Sequence, residues 1–315
     1  MELPPTYYEY RVIDMNEQQQ HSTQHDLSER VRKAFDAVRR RDLQEVSELH
    51  SAGKALIPLL APYLRDQDED VRREAVSLLS VIAGPDALPE LVNALKDTSP
   101  EICERAAMAL YANYDPSSFT DNKSLGSALA KIISSERVSA AAFLLSAYLP
   151  TEEVQAALQV AIKRRPVVEV KLFAFSTPVS ALLPIQVAMA HHGSGEAQAA
   201  LVAATEKASV AEAEFLLAAI READSSYILR ALAKFLDDTR QATTILHSAP
   251  NIRLRICDLA TNAFVKRLDL KVSFKQSELK QYDPGQIDEV RRLVVQAVPD
   301  RPVPDRPVAE RVKSK

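Results

Sequence analysis

The chain has 315 residues, 46% hydrophobic and 26% charged, with 39 Lys and Arg against 43 Asp and Glu and a net charge of −4. That composition supplies a sizeable core and argues against a general nucleic-acid binder, which carries a basic excess. With 6 glycines and no tryptophan, it also argues against glycine-dependent designs such as hairpin-rich sheets, phosphate loops and dinucleotide-binding sheets.

Residues 1–25 are polar, with Gln18, Gln19 and Gln20 and a His21-to-His25 stretch, and lack helical periodicity. They are expected to form an extended arm. The start holds an acid and two prolines where a secretory signal needs a basic start and an apolar run, so no targeting segment is expected. No 18-residue apolar stretch occurs, and no membrane span is expected. Two cysteines, Cys103 and Cys257, cannot make a disulfide framework. They point to a reducing, cytoplasmic compartment. Next comes a basic run, Arg30, Arg32, Lys33, Arg39, Arg40 and Arg41, with Val31, Ala34, Phe35 and Val38 at helical spacing. It reads either as the solvated face of a capping helix or as a phosphate-binding patch.

A repeat then sets in. Pro58, Leu60, Leu64, Asp66, Val71, Ala75 and Leu79 are matched by Pro89, Leu91, Leu95, Asp97, Ile102, Ala106 and Leu110, each 31 residues on. The unit is a helix pair: about 55–64 with 70–83, then 86–95 with 100–113. Val71, Ala75, Leu78 and Ile82 share one stripe of a 3.6-residue helix. One pair cannot bury the stripes of both its helices, whereas a neighbouring copy can cover what is left. A third copy is expected with Val138 and Ala142 in register after an insertion at Asp115–Lys123, then Val170 and Ala174. Later helices are expected near 178–191, 196–207, 210–223, 226–237, 250–268 and 285–298, with Pro178 opening its helix and Pro184 bending it. The proline-rich end, 299–315, is expected to be an extended tail. The domain reading is an arm over 1–25, a repeat domain over 26–298 and a tail over 299–315.

The string Leu64-Arg-Asp66-Gln-Asp-Glu-Asp-Val71-Arg72-Arg-Glu-Ala75 resembles the HEAT-repeat family, especially its short bacterial type. The likeness is strongest over about 55–114 and fades beyond 175. It implies an all-α fold: a right-handed, armadillo-like α-solenoid of stacked antiparallel helix pairs, here with a flexible N-terminal arm and a Pro-rich C-terminal tail. It also implies a turn contact between Asp66 and Arg72 that links neighbouring repeats. Cys103 stands where the second arginine should be, so this ladder is expected to stop after one rung. Arg255-Ile-Cys257-Asp258-Leu-Ala260 resembles a terminal segment of such proteins.

Some proteins resembling this architecture are enzymes. The di-iron hydroxylases among them use His-Glu pairs, and no histidine here is followed by Glu. The DNA-alkylation-repeat glycosylases lean on Trp and a basic groove. Bilin lyases of this type have no short motif that would exclude them. His21 and His25 at i, i+4 would suit a metal on a helix, but they are read as part of the polar arm. His191 and His192 before Gly193 suit a helix C-terminus. No nucleophile signature is visible, and no cofactor or metal is expected.

The face opposite the Val71 stripe carries Arg73, Ser77 and Ser80; the offset of 31 adds Glu104, Met108 and Tyr111, and a further 36 adds Leu144. In HEAT-type solenoids the second helices line the concave side. The expectation is a patch of Met108, Tyr111 and Leu144 rimmed by Arg73, Ser77 and Glu104 that receives a peptide or helix. The competing reading makes this row core. The function expected is a non-catalytic protein-interaction scaffold. The alternatives are a lyase-type or other modification-enzyme subunit, and phosphate or nucleic-acid binding through the basic helix.

Overall fold

The computed structural model describes residues 25–298, except 83, 115–118, 120–121, 166, 170–178, 181, 224 and 244–252. The expected tail, the expected arm before His25, and Val170, Ala174 and Pro178 lie outside the described residues. The fold is all-α, and the chain divides into two compact units after Tyr114. The sequence reading runs one repeat domain from 26 to 298; the division falls where that reading places its insertion.

The first unit opens with helix α1 over 25–39. Val31, Ala34, Phe35 and Val38 are buried, as their spacing requires. Arg41 takes the left-handed conformation (φ 64°), and the amide of Asp42 donates to the Ala37 carbonyl at 3.0 Å. This closes α1 in the manner usually left to glycine. After the short α2 (Gln44–Glu48), the first helix of the first repeat is broken into 3₁₀ turns, α3 (Ile57–Leu60) and a further 3₁₀ turn over Tyr63–Arg65. Pro58 and Pro62 each remove a backbone donor there. Its partner α4 (Glu69–Ile82) is regular. The second repeat pairs α5 (Leu88–Ala94) with α6 (Pro100–Asn113). Val71, Ala75, Leu78 and Leu79 of α4 and Ile102, Ala106, Ala109 and Leu110 of α6 are buried, so these four core positions keep the 31-residue offset, whereas Ile82 of the expected stripe is half-buried. Both intra-repeat turns are made alike: Asp66 Oδ1 accepts from the Asp68 amide at 2.9 Å, and Asp97 Oδ1 from the Ser99 amide at 2.8 Å.

The second unit contains α7 (Asn122–Ile133), α8 (Ala140–Ser146), α9 (Glu152–Arg164), α10 (Leu182–His191), α11 (Gly195–Lys207), α12 (Val210–Ala218), α13 (Ser226–Ala233), α14 (Ile256–Leu268) and α15 (Pro284–Ala297). Two three-residue strands, β1 (Arg137–Ser139) and β2 (Val167–Glu169), pair in parallel. Helix α7 packs on α9, α8 on α10, α10 on α11, α11 on α13, and α12 and α15 on α14. Gly126 permits the first of these contacts, because a Cβ there would meet Thr151 Oγ1 at 2.9 Å. Two expectations are corrected. Val138 lies in β1, and α8 begins only at Ala140, so the third copy does not place it as a helical counterpart of Ile102. Pro184 does not interrupt α10, because the helix begins at Leu182 and first-turn residues have no intrahelical acceptor for their amides to lose.

Candidate binding surface

The outward face of α4 and α6 belongs wholly to the first unit. Arg73, Ser77, Glu104 and Met108 are all half-buried on it, and Glu101 and Ala112 are exposed. Arg73 pairs with Asp70 at 2.6 Å and Glu74 at 3.4 Å. Arg105 donates to Ser77 Oγ at 2.9 Å and to Glu101 at 3.1 Å, so the two helices are laced by a polar rung. A second rung runs from Asn113 Nδ2 to the Ser80 carbonyl at 2.9 Å. Toward the C-terminal ends the face turns apolar. Val81 is 62% exposed, and its counterpart 31 residues on is Ala112, one turn after Met108. The sequence reading missed Val81 and Ala112, although adding four to Ser77 and to Met108 finds both.

Two expected members of the patch lie elsewhere. Tyr111 is 2% exposed and Leu144 is 0% exposed. Helix α6 buries a second stripe, Cys103, Ala107 and Tyr111, beside the first. Every residue of α8 is buried, so Leu144 has no outward face to stand on. The structure therefore brings Arg73, Ser77, Glu104 and Met108 together on a surface and assigns Tyr111 and Leu144 to core.

The turn ladder is longer by one rung than expected. Arg39 of α1 reaches Asp66 at 2.5 Å, and Arg72 grips Asp97 with two bonds of 2.8 and 3.1 Å. Arg72 also donates to the Asp66 carbonyl at 2.9 Å. The expected Asp66–Arg72 contact thus runs through the Asp66 backbone, and the guanidinium joins one repeat to the next. Burial raises the Asp97 carboxyl, but Arg72 and the Ser99 amide outweigh it and hold the group below the usual carboxylate range. Cys103 donates its thiol to the Asp97 carbonyl at 3.3 Å, in the place of that backbone bond, and is too short to reach onward.

Half of the basic run is engaged in ion pairs, while Arg30, Arg40 and Arg41 are exposed. Arg32 pairs with Glu29 and Asp36, Lys33 approaches Glu29, and Arg39 holds Asp36 and Asp66. In the second unit, His191 ends α10 and its Nδ1 lies 2.8 Å from the Glu222 carbonyl. His192 Nε2 lies 3.0 Å from the Ser146 carbonyl. Tyr148 and Arg221 both donate to the buried Glu222 carboxylate, at 2.9 and 2.8 Å. These groups tie helix ends together. Arg255 and the backbone amide of Tyr282 both bond to the fully buried Asp258, which fastens the segment after α14. A concavity of about 600 Å³ at Lys207, Lys234, Phe235, Asp237 and Arg240 has most of its charges paired within the chain: Lys234 with Glu206, Arg240 with Asp238 and Asp237 with Arg291. Among the described residues no group of three His, Cys, Asp or Glu is placed to hold a metal, and no helix is long and apolar enough to cross a membrane.

Residues 57–121 match the family model described as HEAT repeats, and this segment is a HEAT-repeat segment. No curated protein and no solved structure matches the chain.

Proposed function

We propose that the chain is a non-catalytic scaffold whose α4–α6 face receives a segment of a partner protein. HEAT repeats generally mediate protein–protein interaction, and stacked helix pairs offer an extended surface rather than a reactive pocket. One observation carries the reading: a two-helix face of salt-bridged polar side chains ends in the exposed or half-exposed Val81, Met108 and Ala112. A polar rim beside an apolar contact is how binding surfaces are built. The enzyme-subunit reading gains no support from the concavity near Arg240, whose charges are mostly internally compensated. The phosphate reading loses Arg32, Lys33 and Arg39 to ion pairs with Glu29, Asp36 and Asp66 and keeps the exposed Arg30, Arg40 and Arg41.

The test is site-specific photocrosslinking. A crosslinker at Val81 or Met108 should capture a partner that the same group at Val160, an exposed apolar position on α9, does not. Equal capture from all three positions would reject the assignment of the face.

A further inference from the structure

We infer that the segment received by the α4–α6 face is a basic amphipathic helix, its Lys or Arg side chains over the N-terminal ends of α4 and α6 and its apolar side chains over Val81 and Met108. This deepens the reading above and rests on it. The charge of the chain is unevenly spread. Residues 57–114 hold ten Asp and Glu against five Lys and Arg, whereas the whole chain is nearly balanced. The acidic excess therefore sits in the HEAT-repeat pair.

On the face itself Asp70, Glu74, Glu101 and Glu104 stand against Arg73 and Arg105. Both arginines are already committed to acids of the same face, Arg73 to Asp70 and Glu74 and Arg105 to Glu101. Asp70 and Glu101 sit in first turns, where they complement the positive helix ends; Glu74 and Glu104 lie one turn further along. The apolar residues gather at the opposite end: Val81 at 62% exposure, half-buried Met108 and exposed Ala112. An occupant that meets both ends carries cations at one end and aliphatic groups at the other. A helix offers that arrangement over a two-helix face through i, i+3, i+4 and i+7 anchors. An acidic segment would set like charges opposite each other, which opposes association.

The experiment measures fluorescence anisotropy of the full chain with three labelled helical peptides of identical spacing, built from Lys and Leu, Gln and Leu, or Glu and Leu. The Lys–Leu peptide should bind, and its affinity should fall as salt rises from about 50 to 300 mM, because exposed charges are screened over that range. Glu101→Lys should weaken it roughly tenfold, a difference of about 1.4 kcal/mol, and Val81→Ser should weaken it roughly threefold by removing apolar contact. Both positions are exposed, so the melting temperature should stay within the range of surface variants. Glu196→Lys, the same charge change at an exposed site on α11, should leave affinity unchanged. Equal weakening by Glu196→Lys would assign binding to overall charge and overturn the inference. Binding of the Gln–Leu or Glu–Leu peptide at least as tight as the Lys–Leu peptide, lost on Val81→Ser, would overturn the basic chemistry while leaving the docking face standing. Failure of all three peptides would overturn the inference, with the crosslinking contrast deciding the face separately.

Discussion

The HEAT-repeat pair and helix α8 solve the same burial problem in opposite ways. Helices α4 and α6 each turn apolar stripes inward and keep a polar face, and the polar face holds arginines and glutamates in register between neighbours. Helix α8, Ala140-Ala-Ala-Phe143-Leu-Leu-Ser146, is buried on every side, and its one hydroxyl, Ser146, donates back to the Phe143 carbonyl at 2.7 Å. An amphipathic helix shows its phase in the sequence. A helix that is apolar all round has no phase to read, and extending a repeat into it by counting residues assigns faces that do not exist.

The contrast is most easily broken inside α8. Phe143→Ala should cost about 3–5 kcal/mol, the cavity cost of a fully buried aromatic, read as a lowered urea midpoint. Tyr111→Ser should cost about 3 kcal/mol by the same mechanism, while Met108→Ser on the adjoining face should cost about 1 kcal/mol. Equal losses from that pair would return Tyr111 to the surface. Arg72→Ala should come next, at roughly 3 kcal/mol, since the pair with Asp97 is only 13% and 10% exposed and removing one partner strands the other. Arg39→Ala, at the more exposed rung with Asp66, should cost about 0.5 kcal/mol.

Acid should separate the two regions as well. Burial depresses the His192 imidazole, against the bond to the Ser146 carbonyl and with the help of neighbouring His191. Its folded value lies below its unfolded one, so the unfolded chain binds more protons between the two, and stability falls as pH drops below about 6.5. Asp66 and Asp97 are held below the usual carboxylate range, so their contribution persists until pH falls below about 3.8. Hydrogen exchange at stepped pH should therefore lose protection around α10 before it loses it at the α4–α6 turns. His192→Gln should flatten the earlier loss.

The repeat pair was legible because its apolar residues recur every 31 positions and Asp66 and Asp97 mark its turns. Helix α4 ends at Ile82, close to the expected end, and Gly84 follows with φ 136°. Later helices from α11 to α15 were found to within a few residues, except that the segment expected from 250 begins its helix at Ile256. Val138 was misplaced because β-branched Val138 and Val168 favour a strand, and a fixed offset carries no such local information. Tyr111 was misread although a signal existed: Cys103, Ala107 and Tyr111 form a second stripe at i, i+4 and i+8, without a charge, where α4 has Arg72, Val76 and Ser80. Tyr148 and Glu222, 74 residues apart, share a hydrogen bond that only tertiary packing could reveal.

The turn ladder has a direction. The repeat that begins at Ile57 takes a guanidinium from the chain before it, through Asp66, and gives one to the chain after it, through Arg72. The next repeat takes at Asp97 and has nothing to give, because a thiol cannot bridge the gap. Copied end to end, the earlier module would extend the row indefinitely, whereas the later one would close it wherever it was inserted. Cys103 thus punctuates the array, and its position sets how many modules the arginine thread can stitch.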